Sequence, residues 1–546
     1  MPLLTTGQAP TTSAVKGGAA PTATGLRITA APLDVSASVL RQAKDYSVVV
    51  VILDDVGLEK FQQYAAITGN VSQVIRIPNI KTHVVNRGIT FNKCWVYPVC
   101  GPTRGAMESE LYPQHSGFMA NITDNPLLTS GNFYLGQDPA VPDDRTRQKI
   151  QTIAHALRNG RPKNAYKLGK FGKSHMQQND YFTWSTGGAG WTTFKGHMVN
   201  LANHYSWPYI VTARDLLTGE SDIVSSVTTT VYGPEQELVD MEAFVDAALA
   251  ADDAPFLLWW CPSVGHASYQ APPTTGIGAV GALSQGDWTT AFGGVYPAPG
   301  TDLNFVATLD STERAKKEMC QKHQIESADE VFGRLITKLQ SNGQYDDTVF
   351  MVIGDNGTSS DVVEAPYDDT RAKRSVYAQG VNVPFFVSGP VCGQVPRASN
   401  EPINAVDIGT TIRDICKAYP QAHAADIASG GRPRDGVSFL RHLRDPAIPS
   451  PRTVNFSMIG GPSSGYGWNP TTRVYTSAPT QGSYTVTDGT HTLLRLGGTP
   501  PTEKLFLATS FKQPDSVNLM ITAPNDTATI AALSKLRPLL NALITT

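Results

Sequence analysis

The sequence predicts an α/β fold: a large mixed, mostly parallel sheet flanked by helices, with a smaller C-terminal antiparallel sheet packed by a terminal helix. Three observations support this prediction. Short, nearly continuous apolar runs alternate with segments of helical periodicity, which is typical of sheets covered on both faces. The run 47–53 leads directly into Asp54, and the run 347–353 is followed by Gly354 and then Asp355. After about residue 452 the pattern turns to short alternating stretches, which favour antiparallel strands.

The elements are predicted in order along the chain. Apolar and β-branched runs indicate buried strands at 47–53, 164–172, 255–261, 347–353 and 383–388. Apolar residues at helical spacing indicate helices at 235–249, 312–341 and 530–543. Residues 177–234 and 268–308 lack clear periodicity, and loops of that length usually form lids or substrate walls. Their tryptophans Trp191, Trp207 and Trp288 either stack on a sugar or aryl ring or fill core.

These patterns divide the chain into three regions. Residues 1–33 form a low-complexity arm rich in Thr, Ala, Gly and Pro. Residues 34–451 form a large α/β domain, and residues 452–546 form a smaller α+β subdomain. Because such an arm is usually disordered unless something holds it, we expect a partner, a second copy or a larger assembly to hold it.

Composition and charge exclude several classes of protein. A chain of 546 residues is three or four times the usual domain size, and 41% hydrophobic residues with 17% charged ones describe a globular chain. Lysine and arginine total 44 against 47 acidic residues, so the net charge of −3 provides no basic field for nucleic acid or for a lipid surface.

The sequence also bears on location. No apolar run approaches the roughly 20 residues that cross a bilayer, and the first thirty residues lack the pattern of a secretory signal. The six cysteines are scattered without a CxxC pair, which favours a reducing compartment over a disulfide framework. We therefore expect a cytoplasmic protein by default, or a component of a virion or another assembly.

Polar residues follow two predicted strands at the points where they end. Asp54 and Asp55 come directly after the first strand, and Asp355 and Asn356 follow the strand at 347–353. Adjacent buried carboxylates repel each other unless a cation neutralises them, and oxygen ligands suit calcium or magnesium. Each motif taken singly is also compatible with an ordinary solvated turn.

The most specific local motif is Cys100-Gly-Pro-Thr-Arg104. Taken alone, it is also compatible with a buried cysteine beside a turn proline. This run resembles the signature of the sulfatase family, in which the cysteine is oxidised to formylglycine. Other pieces resemble sulfatase motifs in the same order over residues 45–545, and they are Asp54-Asp55-Val-Gly57, Gly172-Lys-Ser-His175, His266 before Ala271-Pro272, Asp355-Asn-Gly357, Lys373 before Val383-Pro384, Asp435-Gly436 and Asp488-Gly489.

The resemblance implies an alkaline phosphatase-like fold and a sulfuric ester hydrolase with a formylglycine made from Cys100. It implies that calcium, less readily magnesium, is bound by Asp54, Asp55, Cys100, Asp355 and Asn356. The remaining implied catalytic groups are Arg104, Lys173, His175, His266 and Lys373. In this assignment Arg104, one helical turn after Cys100, supports the formylglycine diol. Lys173 and Lys373 bind sulfate oxygens, His175 contacts the diol, and His266 protonates the leaving alcohol.

The implied chemistry uses both hydroxyls of a hydrated aldehyde. One attacks sulfur, and the other later loses its proton so that the carbonyl reforms and sulfate is expelled. The implied partners are a small-molecule or carbohydrate sulfate ester and a formylglycine-generating maturation enzyme, with no nucleic acid or membrane.

Three segments depart from the family pattern. Glu108-Ser109-Glu110 stands where the signature has Leu-Thr-Gly, and the two acids are expected to weaken recognition by the maturation enzyme or to rim the pocket. Ser174 stands in place of a tryptophan, which leaves the placement of Lys173 less well determined. Ala378-Gln379-Gly380 replaces Glu-Gly-Gly.

Two alternatives stay open. A phosphonate monoester or phosphodiester hydrolase of the same superfamily needs the same groups around a tetrahedral phosphorus. A sulfatase-like structural subunit of a larger assembly, with Cys100 unmodified, predicts neither turnover nor bound metal.

Overall fold

The computed structural model describes residues 45–69, 74–116, 118–119, 121, 133–135, 148–150, 152–159, 166–176, 190–213, 223–251, 254–303, 311–393, 395–418, 434–460, 468–469, 474–475 and 482–545. The predicted arm at 1–33 lies outside them. Residues 45–546 cluster as one compact unit. The boundary predicted between residues 451 and 452 stays a prediction.

The strands are β1 Ser47–Leu53, β2 Gly88–Phe91, β3 Cys94–Trp95, β4 Phe133–Leu135, β5 Gln148–Ile150, β6 Lys167–Lys173, β7 Thr193–His197, β8 Trp207–Ala213, β9 Ile223–Thr229, β10 Phe256–Cys261, β11 Thr348–Gly354, β12 Phe385–Ser388, β13 Arg397–Ser399, β14 Ile403–Asn404, β15 Asn455–Ile459, β16 Trp468–Asn469, β17 Val474–Tyr475, β18 Ser483–Thr487, β19 His491–Leu496 and β20 Thr502–Leu507.

The longer helices are α1 Cys100–Ser109, α2 Ile153–Asn159, α3 Gly233–Ala250, α4 Ala282–Phe292, α5 Ser311–Ser341, α6 Ala405–Ile415 and α7 Thr527–Thr545. Shorter helices cover Ala65–Thr68, Pro78–His83, Pro113–Ser116, Ala378–Val381, Leu440–Arg444 and Leu519–Thr522. In the part of the chain that is described, no helix has both the length and the apolar character needed to cross a bilayer.

The main sheet is mixed with a parallel centre, as predicted. Its ten strands run in the order β13-β2-β12-β11-β1-β10-β6-β7-β8-β9, and the five from β11 to β7 are all parallel. Parallel neighbours end at the same edge of a sheet, so the residues following β11, β1, β10 and β6 meet there. That edge carries the site.

The sheet buries both faces because side chains alternate along each strand. On β1, Val48, Val50 and Ile52 join one core with α1 and α6, while Val49 and Val51 join a second core with α3 and α5. The six consecutive apolar residues from Val48 to Leu53 are what a strand with two covered faces requires.

The C-terminal part is a four-stranded antiparallel sheet, β15-β18-β19-β20, packed by α7. Leu536 and Leu540 of α7 are fully buried in the core that also contains Phe456 of β15 and one face of the main sheet. The prediction of a terminal helix on a small antiparallel sheet is therefore confirmed.

Treating 177–234 and 268–308 as loops was wrong. The first contains β7, β8 and β9, and the second contains α4. Strands β7, β8 and β9 lie together at one edge of the main sheet. They contain Thr, Ser and Gly and are partly exposed, so they lack the continuous apolar run of a central strand. Trp191, Trp207 and Trp288 are 6%, 1% and 6% exposed and fill core. The six cysteines are buried, and none of them forms a disulfide.

Candidate active site

Two neighbouring strand ends bring the acidic residues together. Leu53 at the end of β1 pairs in register with Gly354 at the end of β11. Asp54 and Asp355 follow those residues directly and are buried side by side. The backbone locks this arrangement, because the amide of Asp355 donates to the carbonyl of Leu53 at 3.0 Å and the amide of Asp55 donates to Asp355 Oδ1 at 3.2 Å.

Arg104 links the nucleophile helix to these carboxylates. Cys100 is the first residue of α1, and Arg104 follows one turn later on the same helix. The guanidinium, 1% exposed, donates to Asp355 Oδ2 from Nε at 3.1 Å and from Nη2 at 2.8 Å. Nη2 also lies 3.4 Å from Asp54 Oδ2. Such a buried fork fixes both the arginine and the two aspartates in one geometry.

The Cys100 side chain lies in the centre of the cluster. Its Sγ is 3.5 Å from Asp54 Oδ1, 3.9 Å from Asp55 Oδ1 and 3.6 Å from Lys173 Nζ. Burial, with the charges of Asp355 and Asp54, raises the pKa of the thiol. The unmodified side chain therefore stays a protonated thiol at neutral pH, which is a poor nucleophile.

The carboxylates themselves are shifted in opposite directions. Burial alone would raise the pKa of Asp54, but Lys173 and Arg104 outweigh it and hold that pKa well below its usual range. Burial followed by the charge of Asp54 raises the pKa of Asp355 to about 6. When neighbouring buried carboxyl groups share the same cationic partners, the pKa of one falls and the pKa of the other rises.

The donor set fits a hard divalent cation. Asp54, Asp55, Cys100 and Asp355 each offer one ligand atom, all within 4.8 Å of one another. Among the described residues, Asp55 Oδ2 and Asn356 Oδ1 are buried without a hydrogen-bond partner. Unpaired buried oxygens are costly unless a cation or a water satisfies them. Carboxylate and amide oxygens are the ligands of calcium and magnesium.

Two lysines flank the carboxylates. Lys173, at the end of β6, contacts Asp54 Oδ2, and Lys373 Nζ lies 2.5 Å from Asp55 Oδ1. Burial would lower the pKa of Lys373, but Asp55 outweighs it and raises that pKa. Lys373 therefore remains cationic beside the position of Cys100.

The two histidines occupy different depths. His266 Nε2 lies 3.7 Å from Asp55 Oδ2, and its side chain, 21% exposed, is the most exposed of the candidate residues. His175 is 3% exposed, and burial, Lys173 and Arg104 hold its pKa well below the usual range. His175 and Asp55 also adopt left-handed backbone, with φ of 51° and 57°. Strained backbone of this kind concentrates at functional sites.

All ten residues predicted from sequence thus lie in one cluster. Two further residues, Gln321 and Thr358, join the loops that carry this cluster, and the sequence analysis did not identify them. Gln321 of α5 donates from Nε2 to the carbonyls of Asp55 at 2.9 Å and Gly265 at 3.1 Å, which joins the loops after β1 and β10. Thr358 Oγ1 accepts from the amide of Gly57 at 2.9 Å and joins the loops after β1 and β11. The signal available in the sequence for Gln321 was its spacing, since it lies one helical turn before Ile325 on the apolar side of the predicted helix.

The prediction that Glu108 and Glu110 rim the pocket was wrong. Both are completely buried in ion pairs. Glu108 Oε1 lies 2.5 Å from Lys170 Nζ, while Glu110 pairs with Arg413 at 3.2 Å and Arg434 at 2.9 Å. Both residues lie at the end of α1 opposite to Cys100, and ion pairs inside the protein satisfy their charges.

The other two departures from the sulfatase pattern, at Ser174 and at Ala378–Gly380, leave the cluster of candidate residues intact. Ser174 is buried, and Lys173 reaches Asp54 without an aromatic neighbour at that position. In the Ala378–Val381 turn, the carbonyl of Gly380 accepts from the amide of Gly357 at 3.0 Å. A Cβ at Gly380 would lie 2.2 Å from the carbonyl oxygen of Ser375, so only glycine fits there.

Comparison with known proteins gives one family and one fold. The family model described as Sulfatase matches residues 47–418. The N-acetylglucosamine-6-sulfatase of Capra hircus is 22% identical over an alignment of 388 positions that covers 67% of this chain and 59% of that protein. The chain thus spans about three fifths of the length of this curated relative.

Two solved structures share the fold. One is a protein in complex with its substrate D-glucosamine-2-N,6-O-disulfate, with a TM-score of 0.58, 14% identity and coverage of 92% of this chain and 97% of that one. The other is the phosphonate monoester hydrolase of Silicibacter pomeroyi, with a TM-score of 0.55, 17% identity and coverage of 91% and 95%.

Proposed function

The chain belongs to the sulfatase family, and we propose that it hydrolyses the sulfate ester of a carbohydrate through a formylglycine made from Cys100. In this proposal Asp54, Asp55, Asp355 and Asn356 hold a divalent cation, calcium in preference to magnesium. One observation carries the proposal: the ends of β1, β11 and β6, the start of α1 and the loop that contains Lys373 bring oxygen ligands, three basic side chains and Cys100 together around one point.

Each side chain has a role in that reaction. Formylglycine supplies a hydrated aldehyde, and the cation supplies charge stabilisation to the attacking oxygen. Arg104, bonded to Asp355 and Asp54, holds the ligand set and the start of α1 in register. Lys173 and Lys373 lie where cationic donors are needed for sulfate oxygens, whose charge is redistributed as the ester bond breaks.

The two histidines divide the proton transfers. In the proposal His266 gives a proton to the alcohol oxygen as that oxygen leaves, and its partial exposure supports this role. In the proposal His175 takes the proton that the diol loses in the second step, which is supported by its burial and by an Nδ1 that has no hydrogen-bond partner among the described residues.

The substrate class is supported by the relative and by one of the solved structures. The relative is named for a 6-sulfated N-acetylglucosamine, and the solved complex contains a sulfated glucosamine. A sulfated amino sugar is therefore the first substrate to test. A phosphonate monoester is the second, because a hydrolase of that class shares the fold and the same groups fit a tetrahedral phosphorus.

The test begins with the nucleophile. The protein is produced together with a formylglycine-generating enzyme, its required partner, and the tryptic peptide Cys94–Arg104 is weighed. We expect replacement of the thiol by an aldehyde at Cys100, calcium in the purified protein, and turnover of aryl sulfate and N-acetylglucosamine 6-sulfate. Cys100→Ala should abolish turnover, while Cys392→Ala, which changes another buried cysteine outside the site, should not.

The outcomes separate the alternatives. A higher kcat/KM on aryl phosphonate than on the matched aryl sulfate would select the phosphonate hydrolase. A fully converted, calcium-loaded protein that turns over neither class would refute the enzyme and favour the structural subunit.

A further inference from the structure

Helix α1 and strand β6 are joined by a row of contacts that extends beyond the candidate active site. At one end Cys100 Sγ lies 3.6 Å from Lys173 Nζ. In the middle Arg104 Nη1 donates to the carbonyl of Lys173 at 3.3 Å. At the far end Glu108 Oε1 accepts from Lys170 Nζ at 2.5 Å. Cys100, Arg104 and Glu108 are spaced four residues apart and therefore share one side of the helix.

The spacing of the two elements matches. From Lys170 to Lys173 a strand advances about 10 Å. From Cys100 to Glu108 a helix advances about 12 Å. The elements run in opposite directions, so the end of β6 meets the start of α1 and the earlier part of β6 meets the last turn of α1.

One glycine makes it possible for both lysines to reach the helix. In a regular strand, residues three apart point to opposite faces. Gly172 has φ of 77°, which interrupts the alternation just before Lys173. A Cβ there would lie 2.0 Å from the carbonyl oxygen of Cys261, so no other residue fits.

The far pair is enclosed completely. The Glu108 and Lys170 side chains are 0% and 1% exposed. Trp191 Nε1 donates to Glu108 Oε2 at 3.1 Å, so both carboxylate oxygens are used. Trp191 packs in turn against Trp259 of the neighbouring strand β10, with ring centroids 5.9 Å apart. A buried charged pair of this kind seldom adds net stability over apolar residues, but it fixes geometry because either charge alone is costly to bury.

We propose that Glu108 and Lys170 are positioning residues for the nucleophile: their ion pair sets the rotation and axial position of α1 on β6, and so the distance of Cys100 and Arg104 from Lys173. This inference rests on the proposed function and adds residues to it. Glu108 stands where the resembling signature has leucine, so this chain fixes the helix by charge at a position where the signature offers only apolar contact.

The main experiment replaces the whole pair, since a single change leaves a buried charge without its partner. Glu108→Leu with Lys170→Met is compared with Lys195→Met with Asp240→Leu. The control pair also joins a strand lysine to a helix aspartate, at 2.9 Å, but it connects β7 to α3 and does not contact α1. Both doubles are made with the maturation enzyme, and conversion of Cys100 is measured by mass in each, so that kcat is expressed per converted site.

We expect the Glu108/Lys170 double to fold and to lower kcat on aryl sulfate about 10- to 100-fold with little change in KM, because a displacement of about 1 Å at reacting groups costs on that order. Glu108→Gln with Lys170→Met, which keeps the acceptor for Trp191 and leaves no buried charge without its partner, should lower kcat less. The control double should stay within about twofold of the unchanged protein. If the Glu108/Lys170 double variant keeps the kcat and KM of the unchanged protein, the inference is wrong and the pair only occupies space in the core.

A second readout separates failure of the inference from failure of the proposed function. Calcium affinity, measured by calorimetry on unconverted protein, does not need turnover. Because Arg104 orients Asp54 and Asp355, the Glu108/Lys170 double should bind calcium more weakly than the control double. Equal affinities in the two doubles would contradict the inference even if the chain proved to have no sulfatase activity.

Discussion

The residue that caps the C-terminal end of α1 offers a measurable conflict between backbone strain and charge pairing. Glu110 follows Ser109, the last residue of α1, and has left-handed backbone with φ of 60° and ψ of 23°. Glycine adopts this conformation freely, and the resembling signature has glycine at this position. Glu110→Gly therefore removes the strain, but it also removes the partner of Arg413 and Arg434.

The two effects differ in size. Relief of the left-handed strain stabilises the protein by about 1 kcal/mol. Removing one partner of a buried ion pair destabilises by about 3 to 5 kcal/mol. The arginine side chains are 10% and 8% exposed, so we take the lower end of that range. Thr410 Oγ1 also loses its 2.8 Å bond to Glu110. We expect Glu110→Gly to lower the free energy of unfolding by about 2 kcal/mol, the difference between these terms.

The assay is urea unfolding followed by tryptophan fluorescence, in chelator so that metal binding does not contribute. Glu110→Gln, which keeps the strain and an acceptor for both arginines, serves as the matched variant and should lose less than Glu110→Gly. If Glu110→Gly proves as stable as the unchanged protein or more so, the ion pairs contribute no net stability and the argument from burial is wrong.

Three other changes test separate parts of the molecule. Burial raises the pKa of Glu237 to about 7. In the unfolded chain this group ionises from about pH 4.5, so the free energy of unfolding should fall by about 3 kcal/mol between pH 4.5 and 7. Glu237→Gln should flatten this pH dependence, measured by urea unfolding at each pH. The same pH dependence in both proteins would exclude Glu237 as the cause. His266→Asn should lower kcat/KM on a sugar sulfate about 100-fold but on aryl sulfate only a few-fold, because an aryl oxide leaves without a proton; equal losses would rule out leaving-group protonation. Asp355→Asn should weaken calcium binding about tenfold or more in calorimetry, and an unchanged affinity would show that the ion is held elsewhere.

Much of the site was predictable because its residues follow local rules. Asp54 and Asp355 stand directly after apolar runs, and such runs become parallel strands whose ends meet. Arg104 is one helical turn from Cys100, so their shared side required no knowledge of the fold. The two histidines and two lysines were named through the ordered resemblance, since a lone lysine or histidine has no local signal.

The errors have a common cause. Glu108 and Glu110 were assigned to the rim of the pocket because a carboxylate without a visible partner in sequence is normally solvated. Their partners, Lys170 and Arg413, lie about 60 and 300 positions away along the chain. The strands β7 to β9 were missed because half-covered strands carry mixed residues, so their pairing depends on a neighbouring strand more than on their own pattern.

By itself the sequence determined the apolar strands, the helix that begins at Cys100 and the order of the charged motifs, because these depend on periodicity and on neighbours within a few residues. Only the tertiary structure decided which charges lie together and which of them are buried. Ion pairing depends on distance through space, and burial depends on everything packed around a side chain. Both are set when β6, β1 and β11 align and α1 packs on one face of the sheet with its first turn at their carboxyl ends.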